Sequence, residues 1–511
     1  MINYMCKLYI KNNYYKSLLQ NKEIIIRKKK ISNIRKKGIA FPNNFRRNYL
    51  SKEIYNKFNN NNKIELKQLN IKVKIAGRII SKRIMGKASF LNIQDLDGKI
   101  QIYICKNKIS KYQYNIYFKN LDIGDIIGVK GKVFKTKTGE LSVYCKYIIL
   151  ITKSIRLLPD KFKGLSDNEI IYRQRYLDLI SNIKSRETFK MRSKIISEIR
   201  LFMNKNNFIE VETPMLQQMP GGASANPFIT YHNKLKKNMY LRISPELYLK
   251  KLIIGGLEKI YELNRNFRNE GISTIHNPEF TMMELYIAYA DYKDLILFIE
   301  NMLCNLIKTI YNRNYILYKN NKIFFKKPFK KMTMKESIYF YNPQIKIKYL
   351  ENIEFAINLA NKKGIKLNKK WKLGKIITKI FEKTTEKFLI QPTFITDYPI
   401  EVSPMSRAND NNNFLADRFE FFINGIEIGN GFSELNDYDD QKIRFEEQLK
   451  NNNKLNNKHI FFDYDYITAL EYGLPPTAGL GLGIDRLIMI LTNQKNIKDV
   501  ILFPEIRSKK N

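Results

Sequence analysis

The stretch from Met239 to Ala290 constrains this 511-residue chain more than any other, because it sets a strand-type alternation directly beside a cationic loop. From Phe280 to Ile287, FTMMELYI places Phe280, Met282, Glu284 and Tyr286 on one face of an extended segment and Thr281, Met283, Leu285 and Ile287 on the other. The second face reads as core. The first offers an aromatic ring, a carboxylate and a phenol in a row, close to a loop holding Arg265, Arg268, Glu270 and His276. That layout suits a nucleotide bound beside a small polar substrate.

Two later blocks carry similar information. In DRFEFFINGIEIGNGFSEL, Asn424-Gly425 is a two-residue hairpin turn that pairs Phe422 with Glu427 and sets Glu420 diagonally beside Glu427 on one face. Two carboxylates there repel each other unless protonated or bridged by a cation, and magnesium bridging ATP phosphates is the economical answer. A solvated pair on an exposed hairpin is the competing reading. In GLGLGIDRLIMIL, Gly479, Gly481 and Gly483 alternate and leave one strand face without side chains, so that adenosine can lie on it. The helix that follows presents Arg486 near its N-terminus.

Ahead of these blocks, Ile195, Ile199 and Phe202 recur at helical spacing and predict an amphipathic helix from Phe189 to Asn206, followed by the strand FIEVETPML with Pro214 at its edge. In PGGASANPF, Gly221 and Gly222 allow backbone to approach a ligand closely, with a flexible surface loop as the alternative. Ser244 and Pro245 predict a helix start, Ser as N-cap and Pro at N1, leaving Glu246 in the first turn to complement the helix dipole.

Single cores rarely exceed about 250 to 300 residues, so this length implies two or three domains. Short alternating runs from Ile71 to Ile151, separated by Gly and Asp turns, predict a small antiparallel barrel. Residues 1–70 read as a basic, helical extension and 152–178 as a hinge into a larger domain over 179–511. Within that domain a Lys- and Asn-rich stretch at about 295–395 reads as a helical insertion, and 408–413 and 451–458 as exposed polar loops.

Ninety Lys and Arg against 48 Asp and Glu give a net charge of +42, a field that favours nucleic acid as partner. Coding bias toward Lys, Asn, Ile and Tyr accounts for part of it, so the support is weak. Cys6, Cys105, Cys145 and Cys304 lack CxxC spacing, which suggests reduced thiols in a cytosolic protein and no zinc site. The most apolar helical stretch, Leu295 to Ile310, is interrupted by Glu300, Asn301, Asn305 and Lys308, so no membrane span is expected. The first residues lack the apolar core of a secretory signal, while an organellar transit peptide stays open.

The string FRNE followed by HNPEF closely resembles motif 2 of the class II aminoacyl-tRNA synthetases, and TMMELYIAYADY is similar to the lysyl-tRNA synthetases among them. The helix and strand near 189–220 resemble motif 1 and GLGLGIDRL resembles motif 3, so the resemblance spans roughly residues 22–507. It implies an α+β chain: an N-terminal five-stranded OB-fold barrel that binds the anticodon, and a class II catalytic domain with an antiparallel sheet flanked by helices. The implied activity is that of an ATP-dependent lysine–tRNA ligase, which forms lysyl-adenylate from L-lysine and passes it to the 3′ end of tRNA(Lys). Mg2+ as cofactor, a homodimer built on motif 1, a cytoplasmic location and no membrane partner complete that expectation.

By the same resemblance, Arg268 holds the ATP α-phosphate and the amino-acid carboxylate, Glu270 reads the adenine amino group, and His276 approaches the outer phosphates. Phe280 and Arg486 sandwich adenine, Arg486 reaching the γ-phosphate. Arg268 and Arg486 are the catalytic residues, and Glu420 and Glu427 hold metal. Gly222 and Glu246 contact the substrate α-amino and ammonium groups, Asn430 lines the lysine pocket, and Glu434 with Tyr286 and Glu284 receives the side-chain ammonium. In the barrel, Phe90 stacks on the central anticodon base, Gln101 and Glu140 hydrogen-bond its edge, and Arg78 lies nearby. An aspartyl- or asparaginyl-type enzyme is the rival within the class, and a non-catalytic RNA-binding homologue the rival outside it. Intact Arg268, Glu420, Glu427 and Arg486 argue against the latter.

Overall fold

A computed structural model describes residues 21–159, 168–223, 225–453 and 462–507. Cys6, the middle of the expected hinge and most of the expected loop at 451–458 lie outside the described residues. The chain divides into two compact units, Met1–Ser166 and Asp167–Asn511.

In the first unit, strands Lys72–Met85, Ala88–Gln94, Lys99–Cys105, Ile126–Lys135 and Leu141–Thr152 close a barrel, the last two in swapped order. The reason is legible in ASFLNIQ and KIQIYIC, where every second residue is buried and the rest face outward. The extension does more than precede the barrel: Ile31, Ile34, Ile54 and Leu66 from its helices share one apolar cluster with barrel residues such as Val73, Leu91 and Ile102. Helix Lys63–Leu69 is started by Asn62, whose side chain accepts from the Ile64 and Glu65 amides.

The second unit is built on a nine-stranded sheet. Its path runs Lys330–Thr333, Thr393–Pro399, Asn412–Ile423, Ile426–Ser433, Thr477–Gly483, Glu279–Ala288, Lys259–Phe267 and Ile209–Glu210, with Ala408–Asn409 added beside Asn412–Ile423. The centre is antiparallel as expected, but the sheet is mixed, because both end pairings are parallel. One sheet face packs on helices Ile183–Lys205, Tyr292–Tyr311 and Ile484–Leu491 through Ile199, Met283, Leu285, Leu303 and Ile488, all fully buried.

Several boundaries differ from the sequence reading. The helix expected from Phe189 starts at Ile183, where the Asn182 side chain caps the Lys184 amide at 3.1 Å. The stretch at 295–395 is not an insertion throughout: Tyr292–Tyr311 belongs to the main core, and Lys330–Thr333 and Thr393–Pro399 form one end of the sheet. Helices Met334–Tyr341, Ile353–Lys362 and Leu373–Thr384 make up the part between them. Residues 408–413 form a tight hairpin rather than a loop. No helix among the described residues is long and apolar enough to cross a membrane.

Candidate active site

On the opposite sheet face from the helical core lies a cavity of about 750 Å³. Its lining includes Gly222, Glu246, Arg268, Glu270, His276, Phe280, Glu284, Tyr286, Glu427, Asn430 and Arg486. Strand register explains the convergence. Glu284 lies opposite Gly481 and Tyr286 opposite Gly479, so the side-chain face of one strand meets the bare face of the next. Arg265 sits within strand Lys259–Phe267 rather than in the loop, 3.5 Å from Glu279.

The cationic end is organised around Arg268. Burial pulls its pKa down while Glu284, Glu270 and Glu427 pull it up, and a guanidinium keeps its charge at any ordinary pH. Its Nε is buried without a hydrogen-bond partner among the described residues, and its guanidinium lies 5.2 Å from the centre of the Phe280 ring. Arg268, not Arg486, therefore faces Phe280 in this structure. Arg486 donates to the Glu427 carbonyl at 2.8 Å and reaches its carboxylate at 3.3 Å. It also meets His276 Nε2 at 2.9 Å, and since arginine only donates, that nitrogen accepts and Nδ1 carries the proton toward Ser273 Oγ, 2.8 Å away. Burial and then Arg486 lower the His276 pKa, which agrees with a neutral ring.

At the hairpin, Phe422 pairs with Glu427 as the turn predicts, but a bulge follows and Glu420 lies opposite Asn430. Glu420 also has partners that sequence reading missed: Arg418 Nη2 at 2.5 Å and the Tyr398 hydroxyl at 2.8 Å. Repulsion between Glu420 and Glu427 is thus already relieved by arginines, and repulsion alone does not demand a metal. Negative charge still accumulates there. Burial raises Glu420 to about 7, and burial together with Glu420 and Glu427 raises Glu386 to about 7. Among the described residues no group of three or more His, Cys, Asp or Glu could hold a metal by itself. The carboxylates fit an ion whose remaining ligands come from phosphate, which is the habit of magnesium.

The other end of the cavity is acidic. Glu284 accepts from Ser244 Oγ at 2.9 Å, and burial, then Glu246, pushes its carboxyl up to about 8 against Ser244, Arg268 and Arg242. Ser244 also takes the Glu246 amide at 3.1 Å, although helix Glu246–Ile254 begins one residue later than expected, with Pro245 as its cap. Gly222, at φ +79°, packs so that a Cβ would stand 2.9 Å from Glu246 Cβ. Glu434 is buried beneath the lining, in ion-pair contact with Lys250. A Cβ at Gly479 would collide with Glu434 Oε1 and come within 2.5 Å of Tyr286 Cε1. The bare face at Gly479 thus makes room for the protein's own side chains, whereas Gly483 has only ordinary contacts beyond 3.4 Å and stays open.

On the barrel, Phe90 and Gln101 share the outer face. Phe90 lies 5.3 Å from Tyr103, which in turn contacts Phe134 and Tyr144, an aromatic row that sequence reading did not anticipate. Gln101 accepts from Ser142 at 2.9 Å and Glu140 from Tyr55 at 2.9 Å. Arg78 is not brought to Phe90. It pairs across from Gln94 and donates to the Gly124 carbonyl, about 13 Å along the strand at the usual rise, and Arg83 occupies the position opposite Phe90.

The closed barrel and the antiparallel-centred sheet with its arginine-rich, acid-ended cavity each match a known family. Residues 167–507 match the tRNA synthetases class II (D, K and N), and residues 73–151 the OB-fold nucleic acid binding domain. The chain belongs to the class II tRNA synthetases of the D, K and N group. Within that group it is 58% identical over 505 residues to the lysine–tRNA ligase of Baumannia cicadellinicola subsp. Homalodisca coagulata, covering 99% of this chain and 100% of the relative. It is 58% identical over 497 residues to that of Buchnera aphidicola subsp. Acyrthosiphon pisum, covering 97% and 98%, and 56% identical over 487 residues to that of Yersinia pestis (strain Pestoides F), covering 95% and 96%.

Proposed function

We infer that this chain is an ATP-dependent lysine–tRNA ligase. The observation that carries the reading is one cavity with a half-buried arginine at one end, its buried Nε without a hydrogen-bond partner among the described residues, and three buried carboxylates, Glu246, Glu284 and Glu434, at or beneath the other. An amino acid with a cationic side chain fits that polarity, its carboxylate toward Arg268 and its ammonium groups toward the acids. A carboxylate oxygen of lysine attacks the α-phosphorus of ATP and pyrophosphate leaves; a hydroxyl of the terminal tRNA adenosine then attacks the adenylate carbonyl and AMP leaves. The chain's own part is to position the reactants and stabilise developing charge with Arg268 and Arg486. Phe280 and Gly483 offer a surface for the base, and Asn430, on the second hairpin strand opposite Glu420, lines the cavity. Mg2+ held at Glu420 and Glu427 would neutralise phosphate charge. ATP–pyrophosphate exchange measured across all amino acids tests the assignment: lysine must stand far above aspartate and asparagine, and a preference for either of those removes it.

The pocket acids make lysine binding pH-dependent. With its pKa near 8, Glu284 holds a proton in the empty pocket near neutrality, yet an ammonium requires the carboxylate. The KM for lysine should therefore fall roughly five- to tenfold between about pH 7 and about pH 8.5, with the KM for ATP far less affected. A group whose folded pKa is raised by burial also costs the empty fold stability as pH climbs from its unfolded value toward 8. Lysine should then raise Tm more above that pH than below it.

Two further readings go with the function. The barrel selects tRNA through the Phe90 row, so Phe90→Ala should weaken tRNA charging by about tenfold or more, since stacking is worth about 1 to 3 kcal/mol per base, and leave pyrophosphate exchange within about twofold. Equal losses in both assays would show that the barrel is not the reader. The enzyme works as a cytoplasmic homodimer through the 189–220 region, where Leu201, Ile209, Met215 and Leu216 are exposed beside the last strand of the sheet. Light scattering that gives a monomer with full activity at assay concentration would remove the dimer.

A further inference from the structure

Lys250 is a fully buried cation next to the acidic end of the cavity. Its side chain has no exposure, its Nζ donates to Glu246 Oε1 at 2.7 Å, and it touches Glu434 Oε2 as an ion pair. The rings of Phe432 and Tyr466 lie 5.6 and 5.9 Å from the ammonium. Glu246, Phe432, Gly479 and Tyr286 line the cavity but Lys250 does not, so it stands behind the wall and leaves the substrate space to others. Glu434 Oε1 faces the Gly479 and Tyr286 side and has no hydrogen bond among the described residues, while Oε2 takes the Lys250 ammonium.

Formal charges give this arrangement a consequence. Once ionised to receive the substrate, Glu246, Glu284 and Glu434 carry three negative charges, Lys250 returns one positive, and Arg268 answers the substrate carboxylate. Two negative charges then remain for the substrate's ammonium groups. We propose that Lys250 is a positioning residue for the amino acid: its buried ammonium neutralises one of three pocket carboxylates and fixes Glu246 and Glu434, so that the remaining charge matches an α-amino acid with a second, terminal ammonium. The proposal rests on the lysine reading of the cavity.

The groups facing Glu434 support it. Lys250 and Glu246 approach from helix Glu246–Ile254, Glu284 and Tyr286 from strand Glu279–Ala288, and Tyr466 from helix Tyr464–Glu471. Burial raises the Glu434 pKa and Lys250 is the cation that pulls it back. Burial weighs against the ammonium of Lys250, but Glu246 and Glu434 outweigh it and keep it charged. Losing Lys250 leaves Glu434 buried among like charges, and it takes up a proton that lysine must then displace.

The test is lysine-dependent pyrophosphate exchange by the full-length protein and by Lys250→Met and Lys250→Arg, over a range of pH. One pKa unit is a factor of ten, so Lys250→Met should raise the KM for lysine about tenfold or more near neutral pH, and the deficit should shrink as pH rises toward about 9.5. The kcat at saturating lysine and the KM for ATP should stay within about twofold, and Lys250→Arg should bring the pH midpoint back toward the parent. In a Glu434→Gln background, Lys250→Met should add little. A parental lysine KM at every pH, or a loss shared by lysine and ATP without pH dependence, overturns the proposal. If Lys250→Met does not fold, the Lys250→Met/Glu434→Gln double variant decides, because it has no unpaired charge between the two positions. It must fold with the lysine KM of Glu434→Gln, and a much higher KM overturns the idea. Failure of the parent itself to activate lysine sinks the functional reading instead, so the two failures are distinct.

Discussion

Replacing Arg268 by alanine is expected to lower lysine-dependent pyrophosphate exchange by about two to three orders of magnitude, the range found when one preorganised charge-stabilising group is removed. The expectation follows from what Arg268 lacks. A half-buried guanidinium whose buried Nε has no acceptor among the described residues holds binding capacity in reserve for an anion. A phosphate and a carboxylate are the two anions of the first step, and charge grows on the phosphate as the α-phosphorus is attacked. Arg268→Lys should recover only part of the loss, because an ammonium is a compact point charge and does not present a planar fork to two anions. Thermal unfolding of Arg268→Ala should change little, since the side chain has few protein partners to lose. Retention of exchange within about tenfold of the parent would show that other groups stabilise the charge, Arg486 being the first to examine.

The second large effect concerns a residue with no side chain. Gly479→Ala places a methyl group on Glu434 Oε1 and against the Tyr286 ring, and both are fully packed. One of them must shift, and overpacking of this kind costs about 1 to 3 kcal/mol of stability. The functional loss should be larger than the structural one, because the displaced groups are those proposed to receive the lysine ammonium. The lysine KM should rise by about one to two orders of magnitude, at 1.4 kcal/mol per tenfold for a charge-assisted hydrogen bond of about 1.5 to 3 kcal/mol. Gly483→Ala is the internal control for lysine: its Cβ meets nothing closer than 3.5 Å, so lysine binding should hardly change. Equal lysine KM values in the two variants would show that Gly479 does not shape the amino-acid end.

The residues proposed to bind substrate were legible because they sit in short, chemically dense strings, whereas their partners were not. Phe280, Glu284 and Tyr286 follow from alternation along one strand, and Arg268 lies just before it. Tyr398 on Glu420, Ser244 on Glu284 and Lys250 on Glu434 come from segments whose approach no local pattern encodes, whereas Arg418, two residues before Glu420 on one strand, shares its face by alternation alone. One signal for Lys250 was present: Glu246 and Lys250 are four residues apart on a predicted helix, a spacing that pairs opposite charges. Asn182, a good N-cap seven residues ahead of the expected start at Phe189, was also readable. In the Lys- and Asn-rich stretch, composition hid the sheet end formed by Lys330–Thr333 and Thr393–Pro399, because the first has only four residues and the second is buried on both faces and shows no alternation.

Sequence by itself determined whatever depends on neighbours along the chain: the inward and outward residues of the barrel, the two faces of Glu279–Ala288, and the Phe422–Glu427 pairing around Asn424-Gly425. Side-chain period and turn chemistry act over a few residues, so they survive in the string. Tertiary structure decided the charge balance of the cavity and the assignment of its empty space. Arg268 lies against Phe280, the bulge sets Glu420 against Asn430, and the bare face at Gly479 is filled by Glu434. Each depends on which distant groups share a low-dielectric volume, and burial there changes both the cost of a charge and the identity of the neighbour that offsets it.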